Sequence, residues 1–256
     1  MTALPLNKMC PRGEACAWPA AFLVCLMVSL PASAQDNWSF DVTPYLWVAG
    51  IQAETSLPKS PSSTPPEAAR FDTRISGGAM LAAQARYRSV GLFVDFAWLQ
   101  LDTRASSPGP AFSGGNLKSD FIHSTVALNY RLPLEGRFHA ELLAGARLWY
   151  VSEDLSYQTG FLPGFNVGGD QTWVDPVFGA DLSYDLSRHW SLLTRGTAGG
   201  AGSGLGWEVM GGVGYRFSDW WSTTFGYRFL HEDYAHNRFS INTDIQGFIL
   251  GVGFHF

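Results

Sequence analysis

Acidic and basic side chains recur at alternate positions along most of this sequence, between residues that are strongly apolar. Charged groups that share one face of a strand and are shielded from water must pair or be hydrated. The acids of this face are Asp41, Asp95, Glu141, Asp175, Asp181 and Glu208, and its basic residues are Arg86, Arg147, Arg195, Arg216, Arg228, His123 and His139. Because the two signs nearly balance, the pattern favours an internal network of salt bridges over a pore selective for one sign of ion.

The run from His231 through Glu232 to His236 comes closest to a metalloprotease signature. In that signature, H-E-x-x-H, a helix places both histidines on one face as zinc ligands. Here the histidines are one residue too far apart, and the surrounding sequence predicts a loop instead of a helix. We therefore predict no metal site and no cofactor.

Two other histidines suggest acid–base or acyl-transfer chemistry. His123 precedes Ser124, but adjacent residues of a strand point to opposite faces, so these two side chains cannot pair directly. His139 and Glu141 share a face and could act as a general base with its orienting acid. No serine is placed beside them as a nucleophile, so we predict no catalytic residue and favour a non-enzymatic role.

From Trp38 onward the hydrophobic pattern has a period of two residues, which predicts strands, and no segment shows helical spacing. We count strands at residues 38–50, 74–88, 90–102, 120–131, 137–151, 173–186, 189–199, 207–217, 220–230 and 244–256. Short turns alternate with longer loops, among them residues 52–72 and 152–172. This plan predicts an all-β fold, an antiparallel up-and-down transmembrane barrel of about ten strands. One miscounted hairpin would change the number to eight or twelve.

The last predicted strand has a wholly apolar face that runs to the final residue. This face comprises Phe248, Leu250, Val252, Phe254 and Phe256. In water such a face would promote aggregation, whereas in a lipid bilayer it suits a spanning strand. We predict that this strand pairs with residues 38–50 and so removes the last open edge of the barrel.

Aromatic residues flank each predicted short turn on the apolar face. A membrane barrel carries such girdles at the membrane–water interface, and a soluble β-sandwich has no reason for them. The first girdle comprises Tyr87, Tyr130, Phe138, Tyr184, Trp190, Phe217 and Trp221, with Phe40 and Phe254 at the chain ends; the opposite one comprises Trp98, Tyr150, Trp207 and Phe229. The girdles independently predict a membrane location.

The first 34 residues form a separate segment. Lys8 and Arg12 precede an apolar stretch at residues 17–30, and residues 31–34 read Pro-Ala-Ser-Ala. A positive start, a short apolar core and an A-x-A site are typical of a secretory signal peptide. We therefore predict a cleaved signal peptide at residues 1–34 and a barrel domain at residues 35–256.

Cleavage would also remove all three cysteines, Cys10, Cys16 and Cys25, so the mature chain would contain no disulfide. With Lys8, Arg12 and Glu14 lost, the formal net charge would change from −5 to −6. Since no basic patch is present, we predict no nucleic-acid partner.

The signal peptide, the girdles and the terminal Phe256 resemble the small outer-membrane β-barrel proteins of Gram-negative bacteria, which include the OmpA-type barrels and the omptins. The repeated Gly-Tyr-Arg-Phe at residues 214–217 and 226–229 is similar to motifs of their C-terminal hairpins. The resemblance implies the bacterial outer membrane as location and its lipids and lipopolysaccharide as surroundings. It also implies that the outer-membrane assembly machinery recognises the apolar face of the last strand.

The resemblance implies no single activity, because the class includes structural proteins, pores, proteases and lipid-modifying enzymes. Omptin-like proteolysis would need acid pairs and an Asp-His pair near the outer rim. Asp175 and Asp181 share a face but lie about 20 Å apart along one strand, too far for a pair. A partner for Asp175 from another strand stays open.

The width of the predicted barrel favours one of the remaining functions. Ten strands enclose a space only slightly wider than the interior of an eight-stranded barrel, which side chains just fill. We therefore predict a structural or surface-exposed barrel with a plugged lumen and both termini in the periplasm. The first alternative is a porin-like narrow pore for small solutes, and the second is an outer-membrane lipid-modifying enzyme or protease. The sequence names no substrate, ligand or oligomeric state.

Overall fold

The computed structural model describes residues 37–56, 70–106, 112–200, 204–236 and 239–256. The predicted signal peptide lies outside the described residues, so cleavage after Ala34 stays a prediction. In the described part of the chain, no helix has the length and apolarity needed to cross a membrane.

Ten antiparallel strands of the described chain form one closed barrel, in which sequence neighbours pair and the last strand pairs with the first. The strands are β1 (Trp38–Ser56), β2 (Arg70–Tyr87), β3 (Val90–Ser106), β4 (Phe112–Arg131), β5 (Phe138–Thr159), β6 (Asn166–Asp185), β7 (Trp190–Gly199), β8 (Gly206–Ser218), β9 (Trp221–His236) and β10 (Phe239–His255). The predicted all-β, up-and-down barrel of ten strands is confirmed.

Most strands extend further toward the long hairpins than the sequence predicted. β5 and β6 cover most of residues 152–172, and β9 continues to His236. Predicted loop residues at 52–56 and 70–72 also belong to strands, while residues 57–69 lie outside the described part. The hydrophobic pattern ends at the membrane boundary, but backbone pairing continues beyond it because a hairpin in water needs no fully apolar face.

The outer surface of the barrel is apolar at alternate residues. Leu46 is 66% exposed and Val48 71% exposed, whereas Tyr45 and Trp47 point into the lumen and are buried. An apolar surface of this extent suits lipid and would be unfavourable in water. Residues of the first girdle lie exposed on it beside the short turns: Tyr87, Tyr130, Phe138, Tyr184, Trp190 and Phe217.

The seam between the two chain ends is closed by backbone pairing. The N–H of Phe40 donates to the carbonyl of Phe256 over 3.0 Å, and the N–H of Phe256 donates back over 2.9 Å. From there β1 and β10 pair as far as Ser56 and Ser240. The prediction that the last strand removes the open edge is confirmed.

The wall of the barrel is uneven in height. β5 has 22 residues and β6 has 20, whereas β7 has 10 and β8 has 13. Because the short turns lie at one end, the differences accumulate at the other. The β7–β8 hairpin therefore ends near Trp207, which belongs to the girdle opposite the short turns, here called the second girdle. The β5–β6 hairpin extends beyond this level.

Candidate functional site

The middle of the lumen is crossed by a chain of ion pairs. Arg228 of β9 binds Asp95 of β3 over 2.8 Å and Glu208 of β8 over 3.0 Å. On the shorter way around the barrel, β10, β1 and β2 lie between β9 and β3, so the first pair joins distant walls. The Tyr45 hydroxyl donates to Asp95 over 2.7 Å and accepts from Arg228 over 3.0 Å. We call Asp95, Arg228, Glu208 and Arg147 the central chain.

Arg147 of β5 continues this chain toward the next wall. Its Nη2 donates to Glu208 of β8 over 3.0 Å and to the Thr197 hydroxyl over 2.6 Å, and its Nε donates to Thr125 over 3.3 Å. Arg147 is only 1% exposed. Burial of charges is costly unless each finds several partners. The central chain meets this condition because each guanidinium contacts at least two acceptors.

An aromatic layer adjoins the central chain on the side of the long hairpins. Trp149 lies two residues beyond Arg147 on β5, and its ring stacks on Trp173 of β6 with centroids 5.7 Å apart. Trp173 stacks in turn on Tyr234 of β9 at 4.6 Å and donates its indole N–H to Glu232 over 3.3 Å. Three walls thus contribute rings to one packed layer across the lumen.

The short-turn end of the lumen contains a cavity of about 490 Å³, which we call the vestibule. Polar side chains line it and pair along the wall. Arg195 binds Asp181 of the adjacent strand over 2.9 Å, and Asp41 lies 2.6 Å from a ring nitrogen of His255 on the adjacent strand. Arg195 also reaches across the lumen, because its guanidinium carbon lies 3.9 Å from the ring centroid of Phe93 on β3.

Glu141 of β5 is the most heavily bonded group of the vestibule. Arg86 binds one of its carboxylate oxygens, and Arg131 lies 2.8 Å from the same atom. The other oxygen accepts from Asn129 over 2.6 Å and from Gln84 over 3.1 Å. The carboxylate is held by strands β2 and β4 on one side of the barrel.

The predicted lumen residues divide into two groups. One lies in or beside the central chain: Asp95, His123, Arg147, Asp175, Glu208 and Arg228. The other lines the vestibule: Asp41, Arg86, His139, Glu141, Asp181, Arg195 and Arg216. Arg216 is exposed and forms no ion pair among the described residues. The role of these groups in closing the lumen stays a prediction.

Several lumen residues were not singled out by the sequence. Tyr45 and Thr197 bind the central chain, although neither is charged. Trp149 and Trp173 point inward, where the pattern predicted polar groups, and Glu232 was placed in a loop. Only the odd or even position of each residue along its strand could have identified them, because apolar residues on both faces of these strands obscure the hydrophobic alternation.

The candidate histidines do not form the suggested pairs, whereas Asp175 has an acidic partner from another strand, Glu232 of β9. His139 contacts Asp185 over 3.1 Å, not Glu141. His231 lies 2.7 Å from Asp244, whereas its neighbour Glu232 is buried in the lumen, so the two belong to opposite faces of β9. The predicted loop at this run is therefore wrong. In the described chain, no three His, Cys, Asp or Glu side chains are grouped to hold a metal ion.

Comparisons with known proteins agree with the architecture. The chain is similar to the outer membrane protease OmpT from Escherichia coli, with a TM-score of 0.56, 12% identity, and coverage of 86% of this chain and 97% of that one. It is also similar to the translocator domain of the autotransporter NalP from Neisseria meningitidis, with a TM-score of 0.45, 11% identity, and coverage of 92% and 94%. At these identities, the likeness to OmpT shows the fold alone. No curated protein matches the sequence.

A family model decides the class. The model of the outer membrane protein beta-barrel domain matches residues 20–256, which is most of the chain. The chain therefore belongs to the outer membrane protein beta-barrel family, and the protein resides in the bacterial outer membrane.

Proposed function

We propose that this outer-membrane barrel is a closed scaffold that displays its long hairpins outside the cell and does not conduct solutes. The central chain carries the proposal, because its ion pairs join β3, β9, β8 and β5 through the middle of the lumen. A pore lined by the same charges would need them along its wall, as in the vestibule.

The energetic cost of opening supports the same conclusion. A solute passing the central chain would have to separate ion pairs that are shielded from water, which is costly for each unpaired charge. It would next meet the packed rings of Trp149, Trp173 and Tyr234. Two consecutive barriers favour a closed barrel over the narrow pore.

Planar-bilayer conductance tests the closure. We expect the wild-type protein to show no discrete current steps. The double variant Arg147→Ala/Glu208→Ala removes opposite charges together and opens the central chain, so steps should appear. The matched control is Asp181→Ala/Arg195→Ala, which removes an ion pair between adjacent strands and should leave the barrel silent.

The outcomes separate the two candidate functions. Steady wild-type conductance would overturn the closed scaffold and support a narrow pore. A silent Arg147→Ala/Glu208→Ala variant would assign closure to the barriers that remain, the Arg228–Asp95 pair and the aromatic layer. Adding either Asp95→Ala/Arg228→Ala or Trp149→Ala should then produce current steps and show which barrier closes the lumen.

The proposed assembly route is tested by deletion of Phe256. Its backbone forms both hydrogen bonds to Phe40 at the seam, and its ring is 63% exposed on the outer face. If the assembly machinery recognises this end, deletion should strongly reduce the amount of heat-modifiable barrel in cells. Phe248→Ala, on the same face but inside the strand, should reduce it less. Normal yield from the truncated chain would contradict the prediction.

A further inference from the structure

One half of β6 lacks a strand partner along one edge. β6 pairs with β5 over almost its whole length, from Asn166 to Tyr184. Its pairing with β7, however, runs only from Val177 to Asp185, because β7 is short. Within the described part of the chain, no strand therefore pairs with the β7-facing edge of β6 above Val177, over the β7–β8 hairpin.

The register identifies which backbone groups face this edge. The N–H of Gly200 donates to the carbonyl of Pro176 on the β7 side, and the N–H of Tyr157 donates to the carbonyl of Phe165 on the β5 side. In an antiparallel sheet successive residues direct their N–H and C=O groups to opposite neighbours. The N–H and C=O groups of the even-numbered residues therefore point to the open edge; these residues are Gly168, Asp170, Thr172 and Val174. We call residues 168–174 the β6 edge.

There is space beside the β6 edge for an added strand. Where β7 and β8 lie between them, just below the edge, β6 and β9 are roughly 14 Å apart at the usual strand spacing. The edge of β9 that faces β6 is covered by the chain at Gly204. This glycine packs so closely on β9 that a Cβ there would lie 1.4 Å from the carbonyl oxygen of Asp233. The opening is backed inside the barrel by the stacked rings of Trp173 and Tyr234. An incoming strand would therefore pair with β6.

The hairpin that carries this edge is acidic. Residues 148–187 contain no Lys, Arg or His. Above the second girdle, Asp154 and Asp170 are exposed, and the register places Asp154 opposite Gly168 beside the edge. Lys118 of β4 lies across from Asp154, but on the side away from the edge. A partner at the β6 edge thus meets negative charge.

The tip of the same hairpin is apolar and exposed. Phe161 is 89% exposed, and Leu162 and Val167 are more than half exposed. The tip is nevertheless ordered by local hydrogen bonds, from Gly160 to the Leu162 carbonyl and from Gly164 to the Thr159 hydroxyl. Exposed apolar groups held in a fixed turn are typical of a protein contact.

We propose that the β6 edge binds an extended, basic polypeptide segment of an external partner, which joins the barrel wall as an additional strand. Main-chain hydrogen bonds would supply affinity, and alternate side chains would supply specificity. Basic side chains on the outer face of the added strand would lie near Asp154 and Asp170. Apolar side chains on its inner face would lie near Trp173. The inference rests on the proposed function only in placing the long hairpins outside the cell.

Charge argues against a second copy of this chain as the partner. Two-fold pairing of one β6 edge with another would bring the same surface of both copies together. Asp154 and Asp170 of each copy would then approach those of the other without a basic group between them. Like charges directly opposite one another destabilise a strand pair. A basic segment has the complementary charge.

A synthetic peptide can test the proposal with the intact barrel in detergent micelles. The probe is a fluorescein-labelled ten-residue peptide of alternating Lys and Val, and its counterpart replaces each Lys with Glu. Fluorescence anisotropy should show binding of the Lys-Val peptide and at least about tenfold weaker binding of the Glu-Val peptide. The double variant Asp154→Asn/Asp170→Asn should weaken binding of the Lys-Val peptide and lower its salt dependence.

Matched variants at one edge residue distinguish strand addition from simple charge attraction. Thr172→Pro removes an edge N–H but leaves the pairing with β5, so it should weaken peptide binding about tenfold. Thr172→Val keeps this N–H and should bind like the wild type. In the wild-type protein, peptide should also slow hydrogen exchange at the amides of Gly168, Asp170 and Thr172, which is a readout independent of either variant.

Either of two results would overturn the proposal: no binding of the Lys-Val peptide, or binding without added amide protection at the β6 edge. Conductance of the same preparation is measured separately. A conducting barrel that binds the peptide would contradict only the closed scaffold. A silent barrel that does not bind it would contradict only the β6 edge.

Discussion

The central chain and the vestibule use the same residue types with opposite consequences for the lumen. In the vestibule, Asp181 and Arg195 pair across adjacent strands and line an open cavity of about 490 Å³. In the central chain, Arg228 binds Asp95 from a distant part of the wall and so spans the lumen beside a smaller cavity of about 160 Å³. The two regions differ in burial, not in residue type, because Arg228 is 2% exposed whereas Asp181 and Arg195 border the vestibule.

This difference also predicts unequal energetic roles. Removing one partner of an ion pair beside a hydrated cavity should cost little stability, because water can hydrate the remaining charge. The central chain borders only a smaller cavity of about 160 Å³ and its charges are more deeply buried, so a remaining charge there would be hydrated less well. The two regions therefore form matched sites for mutation within one barrel.

The largest expected difference comes from removing one guanidinium in each region. Arg228→Met leaves Asp95 and Glu208 without their shared partner, so the free energy of unfolding should fall by roughly 3–5 kcal/mol. Arg195→Met leaves Asp181 at the vestibule and should cost only about 1–2 kcal/mol. Guanidinium unfolding in lipid vesicles, followed by tryptophan fluorescence, measures both. Equal losses would remove the energetic distinction between the regions.

An intermediate difference is expected in access to water. Ser183 lines the vestibule, whereas Thr125 is 4% exposed beside Arg147. All native cysteines precede residue 35, so a barrel refolded from residues 35–256 allows single-cysteine labelling. Ser183→Cys should react with a water-soluble thiol reagent at least about tenfold faster than Thr125→Cys. Similar rates would indicate that water reaches the central chain.

The smallest expected difference tests a single hydroxyl of the central chain. Thr197→Val removes the acceptor that lies 2.6 Å from Arg147 Nη2, and it should cost about 1–2 kcal/mol of unfolding free energy. Thr194, on the same strand, is exposed and donates to the Met210 carbonyl. Thr194→Val should change stability by less than about 0.5 kcal/mol, measured by the same unfolding experiment. A larger effect at Thr194 would count against the ranking.

The sequence predicted the barrel well because strand geometry is local. Successive side chains of a strand alternate between two faces, so residue number alone assigned Leu46 to the lipid and Asp41 to the lumen. The same alternation identified the closing seam at Phe256. It was less informative at the long hairpins, where Glu232 was placed in a loop because the apolar face ends while backbone pairing continues.

The candidate site was predictable only as a set of inward charges. The sequence by itself determined that a nearly balanced set of charged residues faces the lumen, although it missed Trp149, Trp173 and Glu232. Only the tertiary structure decided that Arg228 meets Asp95 while Arg195 meets its neighbour Asp181. The physical reason is that contacts across the lumen depend on the closure, stagger and tilt of all ten strands together, which no local pattern records.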